Sequence, residues 1–125
     1  MMWKNVLYVA AGGAVGSVLR YLISTNIHKS YPNFAPYGTF VVNVTGCLLI
    51  GLLMGWVASQ KLLSTNLQLL LIAGFCGSFT TFSTFAHEAN LLALQQKPLQ
   101  SFLYIALSVI VGMGLAYLGY RITKG

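Results

Sequence analysis

The third apolar stretch of the chain, residues 67–94, constrains the fold more than any other feature. It is long enough to cross a bilayer, yet residues 74–85 within it contain two glycines, five hydroxyl side chains and four phenylalanines. Glycine is a poor helix former, and backbone that leaves a helix in lipid must find other partners. We therefore predict a broken helix at a functional site. Alternatively, the glycines allow close helix packing and the hydroxyls bond to carbonyls one turn earlier.

The composition is that of an integral membrane protein. Of the 125 residues, 57% are hydrophobic and 6% are charged, whereas about a quarter of residues are charged in soluble domains. The net charge is +6 and Glu88 is the single acid. The scattered bases form no nucleic-acid patch, but they make the protein a better host for anions than for cations. One acid, two isolated histidines and no nucleophile–base pair argue against an enzyme.

Four segments reach the roughly 20 residues that span about 30 Å of hydrocarbon. We predict an all-α membrane domain with spans at residues 3–25, 38–59, 66–95 and 99–123. The third would measure roughly 44 Å as one helix, so it must tilt or break, and we place the break near residues 74–80. Pro32 and Pro36 predict a loop over residues 26–37, in which His28 is interpreted as solvated. Cys47 and Cys76 are interpreted as packing residues rather than a disulfide.

Small residues recur every four positions in three spans, which gives each a face for close packing. These series are Gly12, Gly16 and Arg20; Asn43, Cys47, Gly51 and Gly55; and Tyr104, Ser108, Gly112 and Ala116. The polar members have two interpretations each. Arg20 either snorkels to the interface or anchors helix ends and draws anions to a vestibule. Asn43 either bonds to another helix or aims its amide at an anion. Glu88 is a functional candidate or pairs with Arg20, Lys97 or a tyrosine hydroxyl.

The basic residues give little preference for one orientation in the membrane. With four spans, both termini lie on one side, which would hold Lys4, Lys61, Arg121 and Lys124. The other side would hold Lys29, Lys97 and, if it reaches the surface, Arg20. Four bases against three is a weak bias under the positive-inside rule. We predict insertion in both orientations, with two copies paired about an axis in the membrane plane.

The chain resembles the Fluc (CrcB) fluoride channels over nearly all of its length. The similar residues are Gly12, Gly13, Gly16 and Arg20 in the first span, Gly38, Thr39, Asn43 and Gly46 in the second, and residues 74–85 with Glu88 in the third. The twelve-residue run in the third span is highly specific, whereas the glycine series alone are not. Ser78, where many members carry a second glycine, and His87 depart from the pattern.

The resemblance implies a fluoride-selective channel that exports fluoride passively across the bacterial cytoplasmic membrane. It implies an antiparallel, dual-topology homodimer with two separate pathways, lined by Phe82 and Phe85 and supplied with a donor by Asn43. It further implies a structural Na⁺ at the centre of the dimer, held by the backbone carbonyls of Gly77 and Thr80 from both chains. Two carbonyls from each chain would make a four-oxygen cage of hard ligands.

The residue chemistry fits this implication. A pore must replace the water that fluoride holds tightly, because burying a bare anion is prohibitive, and neutral donors bind weakly enough to release it. Phenylalanine adds the positive edge of its ring, although both rings could instead face lipid or core. The predicted pathway residues are Thr39, Asn43, Thr81, Phe82, Ser83, Thr84, Phe85, Tyr104 and Ser108. Arg20 and Glu88 are predicted as vestibule or structural charges.

Two other functions fit four short spans. A small proton-coupled multidrug exporter of dual topology needs a carboxylate in its first span, where this chain has Arg20 and no acid. Glu88 would have to take that role from near the end of the third span. A non-transporting assembly subunit would account for the glycine series but not for the hydroxyl-rich run.

Overall fold

The computed structural model describes residues 2–30, 36–59 and 64–125, and these are almost entirely helical. Its helices are α1 (Met2–Ser30), α2 (Pro36–Ala58), α3 (Thr65–Gln68), a π-helical segment (Leu69–Cys76), α4 (Gly77–Phe79), α5 (Phe82–Leu94) and α6 (Pro98–Lys124). Together α3, the π-helical segment, α4 and α5 form the third span, Thr65–Leu94. Within the described residues, four helices are long and apolar enough to cross a membrane. The prediction of four spans with a bent third is confirmed.

The first helix is longer than predicted. α1 continues to Ser30, five residues beyond the predicted end of the first span. A proline restricts the residue directly before it, so Pro32 has no effect on residues 26–30. The interpretation of His28 as a loop residue is therefore wrong, because it lies in the last turn of α1. Pro32 and Lys61, on which the predicted loop and orientation partly rest, lie outside the described residues.

The break in the third span lies at two threonines. Thr80 and Thr81 are extended, with φ/ψ of −93°/159° and −146°/124°. Gly77 is helical, at −61°/−31°, and Gly74 lies within the π-helical segment. The break is thus at the end of the predicted range, and its attribution to the glycines is wrong. A threonine whose hydroxyl caps the next helix favours an extended backbone at that position, and Thr81 Oγ1 accepts from Thr84 N at 3.2 Å.

The glycines of the first and third spans serve close packing instead. A Cβ on Gly12 would overlap the Leu70 carbonyl oxygen, and one on Gly74 would lie 2.7 Å from Val9 O. α1 therefore packs backbone to backbone against residues 65–79, the first half of the third span. This is the packing role that was left open for these glycines.

A second seam joins α2 and α6. A Cβ on Gly51 would overlap the Ala116 carbonyl oxygen, and one on Gly119 would lie 2.7 Å from Leu48 O. Thr123 Oγ1 donates to Leu52 O across the same seam at 2.8 Å. α5 packs on α6, where Ser101 Oγ donates to Ala89 O at 2.8 Å. The site lies where α2, α5 and α6 meet beside the break.

Candidate ion pathway

Asn43 on α2 completes the backbone that the break leaves open. Its Nδ2 donates to Thr81 O at 3.0 Å, and its Oδ1 accepts from Thr81 N at 2.7 Å. The side-chain amide thus supplies the acceptor that Thr81 N loses at the break, and it adds a second donor to Thr81 O, which as the N-cap carbonyl accepts the first hydrogen bond of α5. The interhelical hydrogen bond considered for Asn43 is present. One of the two Nδ2 hydrogens has no acceptor among the described residues and is available to a ligand.

The carbonyls of Gly77 and Thr80 are among those at the break that lose their usual donors. In a continuous helix, Gly77 O would accept from Thr81 N and Thr80 O would accept from Thr84 N. Thr81 N instead donates to Asn43 Oδ1, and Thr84 N to Thr81 Oγ1. Gly77 is also exposed. These two carbonyls are therefore free to accept from water or to coordinate a cation.

A groove of about 390 Å³ lies against the C-terminal side of the break. It is lined by Asn43, Gly46, Cys47, Ile50, Cys76, Thr80, Thr81, Phe82, Phe85, Ser108 and Val109. Ser108 Oγ is buried and has no hydrogen-bond partner among the described residues. Leaving a buried hydroxyl unpaired costs about 1–3 kcal/mol. The groove therefore brings together two hydrogen-bond donors, the Ser108 hydroxyl and the Asn43 amide, as an anion-binding site requires.

Three aromatic rings form a continuous series from this groove into the protein. The ring centroids of Phe82 and Phe85 are 5.8 Å apart, and those of Phe85 and Tyr104 are 5.1 Å apart. Both pairs are tilted, at 51° and 57°, rather than stacked face to face. Phe82 is 79% exposed, whereas Tyr104 is 7% exposed. The series therefore leads from the surface of one chain to its interior.

A second cleft, of about 300 Å³, lies on the other side of α5 and is more polar. Its lining residues are Arg20, Tyr21, Ser24, Thr25, His28, Gly38, Thr39, Thr81, Thr84 and Glu88. The Glu88 carboxylate accepts from the Tyr104 hydroxyl at 3.0 Å, and Thr39 also interacts with it. Glu88 thus has a tyrosine hydroxyl as partner, one of the alternatives considered for it. Thr81 lines both this cleft and the groove.

The predicted pathway residues divide between the groove and the polar cleft, and Ser83 lines neither. Asn43, Phe82, Phe85 and Ser108 line the groove, whereas Thr39 and Thr84 line the polar cleft. Tyr104 joins the sets through Phe85 and Glu88. Ser83 is exposed and lines neither space. Its hydroxyl lies 3.4 Å from Thr81 Oγ1.

Several lining residues were missed by the sequence analysis. Cys47 and Ile50 line the groove, and they follow Asn43 by four and seven positions, the spacing of one helix face. Ser24 and His28 line the polar cleft and follow Arg20 by four and eight positions. Helical spacing from the two polar residues already identified would have found them.

The fold and site define a small multi-pass membrane protein with a groove and a more polar cleft beside a broken span. The chain belongs to the CrcB family: residues 7–120 match the family model described as CrcB-like protein, Camphor Resistance (CrcB). The chain is similar to three relatives called fluoride-specific ion channel FluC. The one from Flavobacterium psychrophilum is 46% identical over 97% of this chain and 98% of its own. Those from Oceanobacillus iheyensis and Chlorobaculum tepidum are 44% and 43% identical, over 95% and 99% of this chain and 91% and 98% of their own.

Proposed function

We propose that this protein is a fluoride-selective channel that exports fluoride passively across the bacterial cytoplasmic membrane and so lowers toxic cytoplasmic fluoride. The observation that carries the proposal is the groove in which the unpaired Ser108 hydroxyl shares one space with Asn43, Phe82 and Phe85. The names of relatives similar over nearly the whole chain identify the ion.

The groove offers a small anion donors without fixed charge. The remaining Asn43 N–H, the Ser108 hydroxyl and the edges of Phe82 and Phe85 can replace part of its hydration shell. No Lys or Arg lines this groove among the described residues, so an ion can leave as readily as it enters. Larger halides form weaker hydrogen bonds and fit a narrow passage less well.

The second part of the pathway runs past Thr81 into the polar cleft. There the hydroxyls of Thr39 and Thr84 line the cleft and can donate to an anion. Arg20 at this cleft makes the local potential favourable for anions. The Tyr104 hydroxyl donates to Glu88, which reduces the exposure of the carboxylate charge to a passing anion.

A second copy of the chain completes the site in this proposal. The exposed Phe82 ring and the exposed Gly77 lie near the middle of the third span. In a single chain, the free carbonyls at the break would face hydrocarbon, at a cost of several kcal/mol each. In an antiparallel homodimer of dual topology, the break of one chain packs against the break of the other, so that each is shielded from lipid. The homodimer also gives two pathways, each lined by exposed Phe82.

A structural Na⁺ fits the break. Gly77 O and Thr80 O have both lost their helical donors, and two such carbonyls from each of two chains form a four-oxygen cage. When bound, the ion supplies positive charge that offsets repulsion between the facing carbonyl dipoles. The chain itself holds these carbonyls in place through Asn43 and Thr81.

Ion efflux from liposomes tests the function. Purified protein should release fluoride, measured with a fluoride electrode, and retain chloride. Phe82→Ile and Phe85→Ile should reduce fluoride efflux while leaving dimerisation intact. Phe102→Ile is the matched control, because Phe102 is 65% exposed and lines none of the cavities described. Equal passage of chloride, or no passage of either ion, would refute the proposal.

Separate measurements test the assembly and the cation. Cysteines placed at the termini should react from both sides of inverted vesicles if the chain has dual topology, and labelling from one side alone rules it out. Replacing Na⁺ by a large organic cation on both sides should reduce fluoride efflux slowly, because the ion is buried. Unchanged efflux after prolonged replacement removes the sodium site.

Proton-coupled drug export is not favoured by any contact in the described chain. Its exchange mechanism needs a carboxylate on the first span, but the single acid, Glu88, lies on α5 with Tyr104 as its partner. Uptake of a lipophilic cation driven by a proton gradient would contradict this conclusion.

A further inference from the structure

We propose that Arg20 is a positioning residue that replaces a missing backbone N–H at the break and so holds the carbonyls beside it in place. The proposal rests on the proposed function, because its effect is measured through sodium-dependent fluoride efflux. It does not require Arg20 to touch either ion.

The contact that carries the proposal joins α1 to the end of α4. Arg20 Nε donates to Ser78 O at 3.0 Å. In a continuous helix, the donor to this carbonyl would be Phe82 N, but Thr80 and Thr81 are extended between them. The guanidinium thus satisfies a carbonyl that the break has left open. A cation at the carbonyl end of a helical segment is also favoured by the peptide dipoles.

Close packing of α1 delivers the side chain to this carbonyl. Arg20 lies one turn beyond Gly16 on the same face. A Cβ on Gly16 would lie 2.5 Å from Phe75 O and 3.1 Å from Phe79 N. In addition, Ser78 Oγ donates to Gly13 O at 2.9 Å. These contacts fix the distance between α1 and the break, so Arg20 Nε meets Ser78 O with little freedom.

The neighbours of Ser78 explain why the contact matters for function. Gly77 O precedes Ser78 O by one residue, and Thr80 O follows two residues later; both lack their helical donors. If Ser78 O were also unpaired, it would join Gly77 O and Thr80 O in lacking a donor, and the end of α4 would rearrange to find partners. The Gly77 and Thr80 carbonyls would then change their orientation together with the end of α4. Arg20 therefore acts on the cation site through the Ser78 peptide.

A different role for Arg20 would rely on its charge. Arg20 lines the polar cleft with Thr84 and Glu88, where a cation attracts anions whatever its hydrogen bonds. The two roles can be separated by substitution. In glutamine, Nε2 is bonded to Cδ, as Nε is in arginine, so Arg20→Gln keeps an N–H donor at that position without charge. Arg20→Lys keeps the charge but places its ammonium one bond further out, and Arg20→Met removes both.

The first test measures the sodium concentration that gives half-maximal fluoride efflux from liposomes containing the full chain. Arg20→Gln should stay within about twofold of the unsubstituted protein, whereas Arg20→Met should need about tenfold more sodium, a difference of roughly 1.4 kcal/mol. Ser30→Ala is the control, since it removes the Ser30 Oγ to Asn26 O bond of 3.2 Å on the same helix, more than two turns beyond Arg20. The proposal is overturned if Gln is as defective as Met, if Met behaves as the unsubstituted protein, or if Lys alone restores it.

The second test does not depend on transport. Solid-state NMR of protein labelled with ¹³C at the Ser78 carbonyl reports whether that carbonyl accepts a hydrogen bond. The shift should be kept in Arg20→Gln and move toward that of an unbonded carbonyl in Arg20→Met; identical shifts in all variants would overturn the proposal. If the unsubstituted protein passes no fluoride but the shift moves as expected, the proposed function has failed and the contact stands.

Discussion

The α2–α6 seam and the contact of α1 with the third span are both packed through glycines, but only the second adjoins a break. At the seam, Gly51 and Gly119 bring two continuous helices into backbone contact. Beside the break, Gly12, Gly16 and Gly74 make equally close contacts between α1 and the third span. Yet only the third span is interrupted among the described helices. Glycine therefore accounts for how closely these helices approach, and something else accounts for the break.

The difference lies in the side chains that replace backbone hydrogen bonds. At the break, the Asn43 amide bonds to both the N–H and the C=O of Thr81. The Thr84 N–H donates to Thr81 Oγ1. At the seam, the Thr123 hydroxyl contacts Leu52 O and Gly119 O without interrupting α6. A membrane helix breaks where side chains satisfy the freed backbone.

Asn43→Asp should have the largest effect, because it acts on the break and on the ion together. A carboxylate cannot donate to Thr81 O, so the contact between α2 and the break loses one of its two hydrogen bonds, at about 0.5–1.5 kcal/mol, and the new charge repels an anion. We expect fluoride efflux to fall by about a hundredfold, which corresponds to roughly 2.7 kcal/mol. Asn90→Asp, at an exposed position of α5, controls for added negative charge. Normal efflux from Asn43→Asp would contradict both roles given to Asn43.

Gly51→Ala should destabilise the seam without altering the break. Its Cβ would overlap the Ala116 carbonyl oxygen, and overpacking of this kind costs about 1–3 kcal/mol. Thermal unfolding in detergent, followed by circular dichroism, measures the loss. Gly114→Ala is the matched control on α6, because no atom of the described residues lies within 4 Å of its Cβ. It should be neutral or slightly stabilising, since alanine is the better helix former. Equal stability of the two variants would refute close packing at Gly51.

Thr81→Ala should weaken the cap of α5 by about 1 kcal/mol, the usual value for an N-cap hydroxyl. The Thr84 amide then loses its 3.2 Å bond to Thr81 Oγ1 and should exchange its hydrogen several-fold faster. Thr81→Ser retains the hydroxyl and should keep the slow exchange. If Ser and Ala exchange at the same rate, the hydroxyl is not what caps the helix.

Apolar length predicted the four membrane spans, and glycine spacing predicted faces for close packing, because both are local properties of the sequence. The resemblance placed Asn43, Phe82 and Phe85 in one pathway, and the structure brings them to one groove. The contacts of Asn43 with Thr81 and of Arg20 with Ser78 were not predictable, since they join residues 38 and 58 positions apart. The site of the break was misattributed because glycine has a low helix propensity, whereas the Thr81 cap depends on the partner that Asn43 provides.

Ser108→Ala should have the smallest effect on stability and still reduce transport. Ser108 Oγ is buried without a partner among the described residues, so removing it loses no hydrogen bond and can relieve a cost of desolvation. Ser101, seven residues earlier on α6, donates to Ala89 O at 2.8 Å, and Ser101→Ala should cost about 1 kcal/mol. Unfolding temperatures should therefore rank Ser108→Ala at or above the unsubstituted protein and Ser101→Ala below it. Fluoride efflux should fall in Ser108→Ala and not in Ser101→Ala. The opposite ranking in efflux would remove Ser108 from the pathway, because the hydroxyl would then be unpaired without serving the ion.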